Sequence, residues 1–411
     1  MMENLNTPEL RFPGFEGEWK EKQLDSIAKF SKGKGVSKSD VVEDGISECI
    51  RYGELYTHYN EVISDVISRT NIYERDLVLS DENDIIIPAS GETQIDIATA
   101  SCVTRKGIGL GGDLNIIKTN ENGIFLSYYF NNKLKYEIAR LSQGISVVHL
   151  YSSQLKLLKL NLPTLPEQQK IASFFTSIDK KIELLKKKHS LLEQYKKGVM
   201  QKIFPSTGSG TSPEIRFKDS DGNDYADWEE KKLGEVIIKN SLKNKKNQFS
   251  HVQSISNKLG FVNQTEYFEN RVIASKDLSN YYIVEKGCFA YNPSRIDVGS
   301  LAYKNDSEPT VISPLYISFK TECQIIKDVF LLYWFDSVLF KKQMHNSFEG
   351  SVRNTLSFHA LSKMKIFVPF NEEQTKIANF LSSIDKKIEK VQLQIDKAEE
   401  WKKGLLGRMF C

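Results

Sequence analysis

The heptapeptide SIDKKIE occupies residues 177–183 and returns at 383–389. The echo is much longer than seven residues. EQQKIASFFTSIDKKIELLKKKHSLLEQYKKGVMQKIF starts at Glu167, and EQTKIANFLSSIDKKIEKVQLQIDKAEEWKKGLLGRMF starts at Glu373, 206 positions later, with no gap between the two copies. The same offset pairs Gly144 with Gly350, Leu155 with Leu361 and Pro163 with Pro369. Looser echoes link PELRF at Pro8 with PEIRF at Pro213, and Trp19…Leu24 with Trp228…Leu233. So long a period is not a solenoid of short repeats. It describes a tandem duplication, each copy a domain followed by a helix, and 411 residues suffice for that.

Within the repeated segment, Ile171, Phe175, Ile178, Ile182, Leu185, His189, Leu192, Lys196, Val199 and Ile203 step alternately by four and three. The second copy gives Ile377, Leu381, Ile384, Ile388, Val391, Ile395, Ala398, Lys402, Leu405 and Met409. This is a heptad stripe, interrupted at His189, Lys196 and Lys402. Pro166 and Pro369 stand where helix entry tolerates proline. Helices of about 38 residues would be about 57 Å long. Such a stripe needs cover, and its own copy is the obvious partner; a long hairpin in the core of a larger domain is the alternative. Antiparallel pairing predicts a pseudo-two-fold spacer carrying two heads tens of ångströms apart. Ile178, Ile182, Leu185, Leu192, Ile384, Ile388, Val391 and Ile395 are the expected spacer positions.

Residues 25–140 and 235–345 share little beyond their edges. Both contain short β-like runs, DIIIP at Asp84, LNII at Leu114, VIS at Val311 and LYISF at Leu315. A helix-like run follows in each, Phe125–Leu141 and Val329–His345. No clean βαβ rhythm appears, so the expected class is α+β: two α/β heads and two long helices in an antiparallel coiled coil. The expected boundaries are 1–166 for the first head, 167–204 for its helix, 205–213 for a polar Gly/Ser linker, 214–371 for the second head and 372–411 for the second helix.

Little in the chain looks catalytic. Five scattered cysteines form no CxxC pair, which argues against a disulfide framework and for a reducing cytoplasm. The first residues do not read as a signal peptide, and no apolar run would span a bilayer. No P-loop motif occurs, and the six histidines show no metal-ligand spacing. GIGLGG at Gly107 matches GxGxxG, but a strand-like run follows it instead of a helix, so it reads as a turn. Asn292-Pro-Ser-Arg295 lacks the second proline and the aromatic residue of an adenine-methyltransferase motif and reads as a contact loop.

Two basic loops occupy matching places in the halves. One carries Lys32, Lys34 and Lys38, the other Lys243, Lys245 and Lys246. Cations beside glycine or asparagine let a loop approach phosphates; a solvated surface loop is the plain alternative. Arg51, Tyr52, Ser90, Gly91, Thr93, Arg271, Asn292, Arg295, Arg353 and Asn354 complete the candidate nucleic-acid contacts, by residue type. The stretch 177–204 holds eight lysines against three acids. That excess suits solvent, a docked partner or nearby DNA.

The arrangement resembles the specificity subunit of Type I restriction–modification systems over nearly the whole chain. The resemblance rests on LPEQQKIASFF…IDKKIELL…LLEQYKKGVMQKIF and NEEQTKIANFL…SIDKKIEK…WKKGLLGRMF. It also rests on the turns QGISVVH and EGSVRN, which place Gln143 and Ser146 beside the candidate contacts; the first turn lacks the arginine that Arg353 supplies. The resemblance implies a non-catalytic subunit that reads a split DNA target, one half per head. It implies two adenine methyltransferase subunits as partners, carrying S-adenosylmethionine, and restriction subunits carrying ATP and Mg. No cofactor is then expected on this chain. A coiled-coil scaffold without DNA, or part of a self-contained restriction or methyltransferase enzyme, are the competing expectations.

Overall fold

The computed structural model describes residues 6–144, 147–204, 213–264, 277–348 and 354–411. The chain divides into two compact units, Met1–Lys187 with Gln392–Cys411, and Lys188–Val391. The division cuts through both long helices, Leu165–Ile203 and Asn371–Met409. The compact units thus combine each head with parts of both long helices. Each unit takes the near part of its own helix and the far part of the other.

The first unit is built on a five-stranded sheet in the order Ala28–Lys32, Leu114–Thr119, Asp84–Pro88, Ser101–Val103, Val62–Ile63. Its first three pairings are antiparallel and the last is parallel. The central strand DIIIP is buried at every position, as expected of a continuous apolar run covered on both faces. The second unit repeats the order with four strands, Ile237–Lys239, Ile317–Thr321, Cys288–Tyr291 and Leu301–Tyr303, all antiparallel. The helix-like runs each resolve into two helices, Gly123–Asn132 with Lys135–Leu141 and Asp328–Phe335 with Val338–Asn346. Ser337 starts the last of these by accepting a hydrogen bond from the Phe340 amide at 3.2 Å, the usual N-cap role of serine.

Both units close in the same way. The strand Lys20–Gln23 pairs antiparallel with Lys159–Leu162, and Glu229–Lys232 pairs with Lys365–Val368. The Leu24 amide donates to the Leu158 carbonyl at 2.9 Å, and Leu233 donates to Met364 at 2.7 Å. Chain entry and exit thus lie side by side at the foot of each head.

The repeated EQ pair at the start of each long helix has a local purpose. Glu167 is 1% exposed and accepts from both Nε and Nη2 of Arg11, each at 2.8 Å. Glu373 accepts from Arg216 Nε at 3.3 Å and Nη2 at 2.9 Å, and from Trp228 Nε1 at 3.2 Å. These carboxylates raise the pKa of Arg11 and of Arg216 chiefly through the hydrogen bonds. The Gln168 side chain accepts from the Asn122 amide at 3.0 Å, and Gln374 from the Lys327 amide at 2.7 Å. The arginines of PELRF and PEIRF are thereby tied to the helices that leave their own heads.

Each core is completed by the end of the other copy's helix. Phe410 sits 5.4 Å from Phe125 in the first unit, and Phe204 sits 5.5 Å from Phe330 in the second. Trp19 and Trp228 cover these pairs at 5.9 and 6.0 Å. In the first unit the facing helix positions run in opposite senses: Phe175 with Phe410, Asp179 with Lys402, Lys186 with Glu399. In the second unit Lys196 meets Asp385. The pairing is antiparallel.

Candidate nucleic-acid interface

In the first unit the strand Ala28–Lys32 runs into Gly33-Lys34-Gly35. A Cβ at Gly33 would lie 2.0 Å from the Gly111 carbonyl oxygen and 2.4 Å from that of Leu110. The Lys34 amide donates to Leu110 at 2.9 Å, and the Gly112 amide donates to Gly35 at 2.9 Å. The glycines of the GxGxxG run therefore permit backbone-to-backbone approach, with Gly109–Leu110 a strand and Leu114–Thr119 another after it. Lys32, Lys34 and Lys38 are exposed on this support. Gly33→Ala has no backbone room, so we expect at least a tenfold loss of sequence-specific binding in duplex titrations. Gly198→Ala, in the first long helix with open space at its Cβ, should be neutral or slightly stabilising. Equal affinity of Gly33→Ala and the parent chain would remove this loop from the interface.

Ser90-Gly91 pairs with Val148-His149, His149 opposite Ser90. Ser90 Oγ lies 3.2 Å from His149 Nδ1 and 3.4 Å from Asp113 Oδ1. The His149 ring stacks on Tyr151 with centroids 6.3 Å apart, and Lys32 Nζ lies 5.9 Å from the Tyr151 ring. Gln143, exposed, pairs with His149 through two backbone hydrogen bonds of 2.9 and 2.7 Å. The fold thus gathers Lys32, Ser90 and Gln143, distant in sequence, around His149, Tyr151 and Asp113. These last three were not among the sequence candidates, although His149 ends the QGISVVH stretch.

Other sequence candidates have structural duties. Arg51 Nε binds Glu54 Oε1 at 3.0 Å, and the nearly buried Glu54 also accepts from Ser68 Oγ at 2.7 Å. Tyr52 packs against the Ile50, Leu55 and Leu110 cluster. Thr93 Oγ1 caps the turn Gln94–Ile97, accepting from the Asp96 amide at 3.1 Å. Gly91 is buried, and a Cβ there would meet Ile97 Cβ at 3.2 Å. Arg51, Tyr52, Gly91 and Thr93 thus take part in local packing and capping.

In the second unit the basic loop also follows the edge strand of the sheet. Asn244, 1% exposed, clamps it by donating to the Phe249 carbonyl at 2.8 Å and accepting from the Phe249 amide at 3.2 Å. Asn247 takes a left-handed φ of 49°, a conformation asparagine tolerates. Lys245 and Lys246 are exposed, and Lys243 lies over Tyr282 at 5.7 Å. The Asn292 side chain accepts from the Ser294 amide at 3.1 Å in a local turn, and Arg295 is exposed beside it. The Leu356 amide donates to the Pro293 carbonyl at 3.0 Å, just as the Leu150 amide donates to Ala89 at 3.0 Å in the first unit. Leu150 and Leu356 are 206 residues apart. Asn354 is exposed beside this joint. The candidates Ser146, Arg271 and Arg353 lie outside the described residues.

The helix positions expected to form the spacer are mostly covered by the chain itself. Ile178, Ile182, Ile384, Val391 and Ile395 are buried, and Leu185, Leu192 and Ile388 are half-buried. These positions are largely withdrawn from solvent, whereas other faces of the same helices are open. Ser177, Lys180, Lys181 and Glu183 are exposed, as are Ser383, Lys386, Lys387 and Glu389. Among the described residues no group of acidic, histidine or cysteine side chains is placed to hold a metal ion. No described helix is long and apolar enough to cross a membrane.

The family model for the Type I restriction modification DNA specificity domain matches residues 16–194 and again 225–398. The chain belongs to this family. It is 26% identical to the Type I restriction enzyme MjaVIII specificity subunit of Methanocaldococcus jannaschii, over all of this chain and 94% of that protein. It is also 26% identical to the putative MjaX specificity subunit of the same organism, over 73% of this chain and 71% of that one. In fold it resembles the crystal structure of the Type I restriction–modification S subunit from M. genitalium, with a TM-score of 0.61 at 15% identity, covering 98% of this chain and 99% of the other. A chain from a structure describing assembly and conformational transition of the Type I system matches at a TM-score of 0.52 and 14% identity, covering 98% and 99%. The two specificity domains therefore carry DNA-sequence recognition, and loops that differ on like scaffolds suit that task.

For the second domain, replacing Lys245 and Lys246 together with alanine should weaken cognate and unrelated duplexes alike. The slope of log affinity against log salt should become shallower by about 2, roughly 0.9 for each phosphate left without its lysine. A slope that does not move would place both lysines off the DNA.

Proposed function

We propose that the chain is the non-catalytic specificity subunit of a cytoplasmic Type I restriction–modification complex. Residues 1–166 and 214–371 act as target-recognition domains, each reading one half of a bipartite, asymmetric DNA sequence. The observation that carries this reading is the joint at Leu150 and Leu356. Both units dock the loop after the central strand in the same way, yet surround it with different side chains, Ser90, Asp113 and His149 in one and Asn292, Arg295 and Asn354 in the other. Like scaffolds with unlike donors and acceptors suit two unlike half-sites. Lys32, Lys34, Lys38, Lys243, Lys245 and Lys246 serve the phosphates.

The long helices recruit two identical adenine methyltransferase subunits. Support comes from the exposed part of the repeated heptapeptide. Packing within the chain accounts for Ile178, Asp179 and Ile182 but not for the solvent-facing Ser177, Lys180, Lys181 and Glu183, which recur unchanged at 383, 386, 387 and 389. S-adenosylmethionine belongs to those subunits, and ATP and Mg to restriction subunits. To test the reading, the chain is co-expressed with a methyltransferase subunit of its own system, and methylated adenines are mapped across genomic DNA with and without it. A split motif with a fixed unread gap, present only with this chain, is the expected result. Methylation independent of the chain, or an unsplit motif, would overturn it.

A further inference from the structure

The three interruptions of the heptad stripe do not behave alike. His189 turns to Glu193 on its own helix, with Nδ1 3.4 Å from Oε2. Lys196 and Lys402 cross to the other helix. Lys402 Nζ lies 2.7 Å from Asp179 Oδ1, and Lys196 Nζ lies 2.6 Å from Asp385 Oδ1. The two aspartates are the third residues of the two SIDKKIE copies. Each also accepts a hydrogen bond from a tyrosine of its own head, Tyr128 to Asp179 and Tyr333 to Asp385, the latter at 2.6 Å. The lysines lie over those same tyrosine rings, both at 5.2 Å. Burial, reinforced by the neighbouring carboxylate, pushes both phenols up, so their hydroxyls stay donors.

Each triad therefore joins three elements: a helix of the head, the helix leaving that head, and the far part of the other long helix. Apart from Phe175, His189 and Met409, the remaining seam positions are aliphatic. A heptad seam resembles itself after a shift, because one Ile or Leu takes the place of another, and a polar residue at a seam position is the usual device that selects one register. The side chains are only 17–32% exposed, so a slipped register would leave charged groups half-buried and unpaired. A slip of one turn is about 5.4 Å, or about 1.6 base pairs at about 3.4 Å each. It would change the spacing at which two half-sites are read.

We propose that the Tyr128–Asp179–Lys402 and Tyr333–Asp385–Lys196 triads are register pins that set the length of the unread gap in the DNA target. This rests on the bipartite reading above, and makes these six residues positioning residues that touch no base. The test uses the full chain with its methyltransferase subunits, and a panel of duplexes carrying the mapped half-sites at the native gap and at gaps one or two base pairs shorter or longer. The wild-type complex should methylate the native gap far better than its neighbours. Lys402→Met and Tyr128→Phe should lower that preference at least tenfold, with gain at altered gaps, whereas Lys402→Arg should keep it. Tyr128→Phe removes only a hydroxyl, so it decides the matter if Lys402→Met does not fold. Equal loss at every gap, with the preference intact, would reduce the triads to simple stability and overturn the proposal. A wild-type complex that recognises no split site would overturn the bipartite reading itself, an outcome distinct from that one.

Discussion

Glu373→Ala is expected to destabilise the second unit by about 3–5 kcal/mol, the usual cost of removing one partner of a buried ion pair. The carboxylate is 0% exposed and gathers three donors, the Arg216 guanidinium, the Trp228 indole and the Phe217 amide at 3.3 Å. Alanine leaves the guanidinium, 17% exposed, without its counter-charge and the indole N–H without an acceptor. Glu372→Ala, one residue earlier and exposed, should stay within about 0.5 kcal/mol. Urea titration of the full chain measures both. A loss under about 1 kcal/mol at Glu373 would show that solvent replaces these interactions, and would undo the assignment of the EQ pair to anchoring the head.

The largest functional effect should come from exchanging residues 25–140 for the corresponding segment of another specificity subunit. Methylation of the original motif should vanish, and a new motif should appear that differs in one half only. The exchange points suit the architecture. They lie just beyond the strand Lys20–Gln23 and within the helix Lys135–Leu141, so the closing strand pair and the Arg11–Glu167 tie remain native. The donor segment must offer a tyrosine at the place of Tyr128, because Asp179 and Lys402 stay behind. A motif changed in both halves would contradict one head per half-site.

What the sequence made legible was whatever is periodic or local. The helices, their heptad seam and the Phe204/Phe410 match follow from two copies aligned without a gap. DIIIP and LNII were readable as strands because their runs are short, β-branched and bounded by turns. The order of strands was not readable, since Lys32 meets Asn115 and Ile87 meets the same Asn115 only through pairings between distant segments. The same holds for the interface. Lys32, Ser90, Gln143 and His149 lie far apart in the chain, and only the sheet brings them together. Arg51 and Thr93 were chosen by residue type, and type does not reveal that a buried Glu54 or a helix start has already engaged them. Lys196 and Lys402 looked like defects in the seam because periodicity reports hydrophobicity and not the acid that faces them.

The crossing of helix ends into opposite cores also has a consequence for synthesis. Lys188–Val391 is a continuous stretch, so the second unit holds all its parts once translation passes residue 391. The first unit does not. Its core contains Leu405, Leu406, Met409 and Phe410, and the Leu10 amide bonds the carbonyl of Arg408 at 2.9 Å. The head made first is thus the head finished last, held open through some two hundred further residues of elongation at about 5–20 residues per second. During that interval Trp19, Phe125 and Tyr129 lack their final cover. In refolding of the full chain followed by pulse proteolysis, the contiguous later unit should accordingly gain protection before the earlier one.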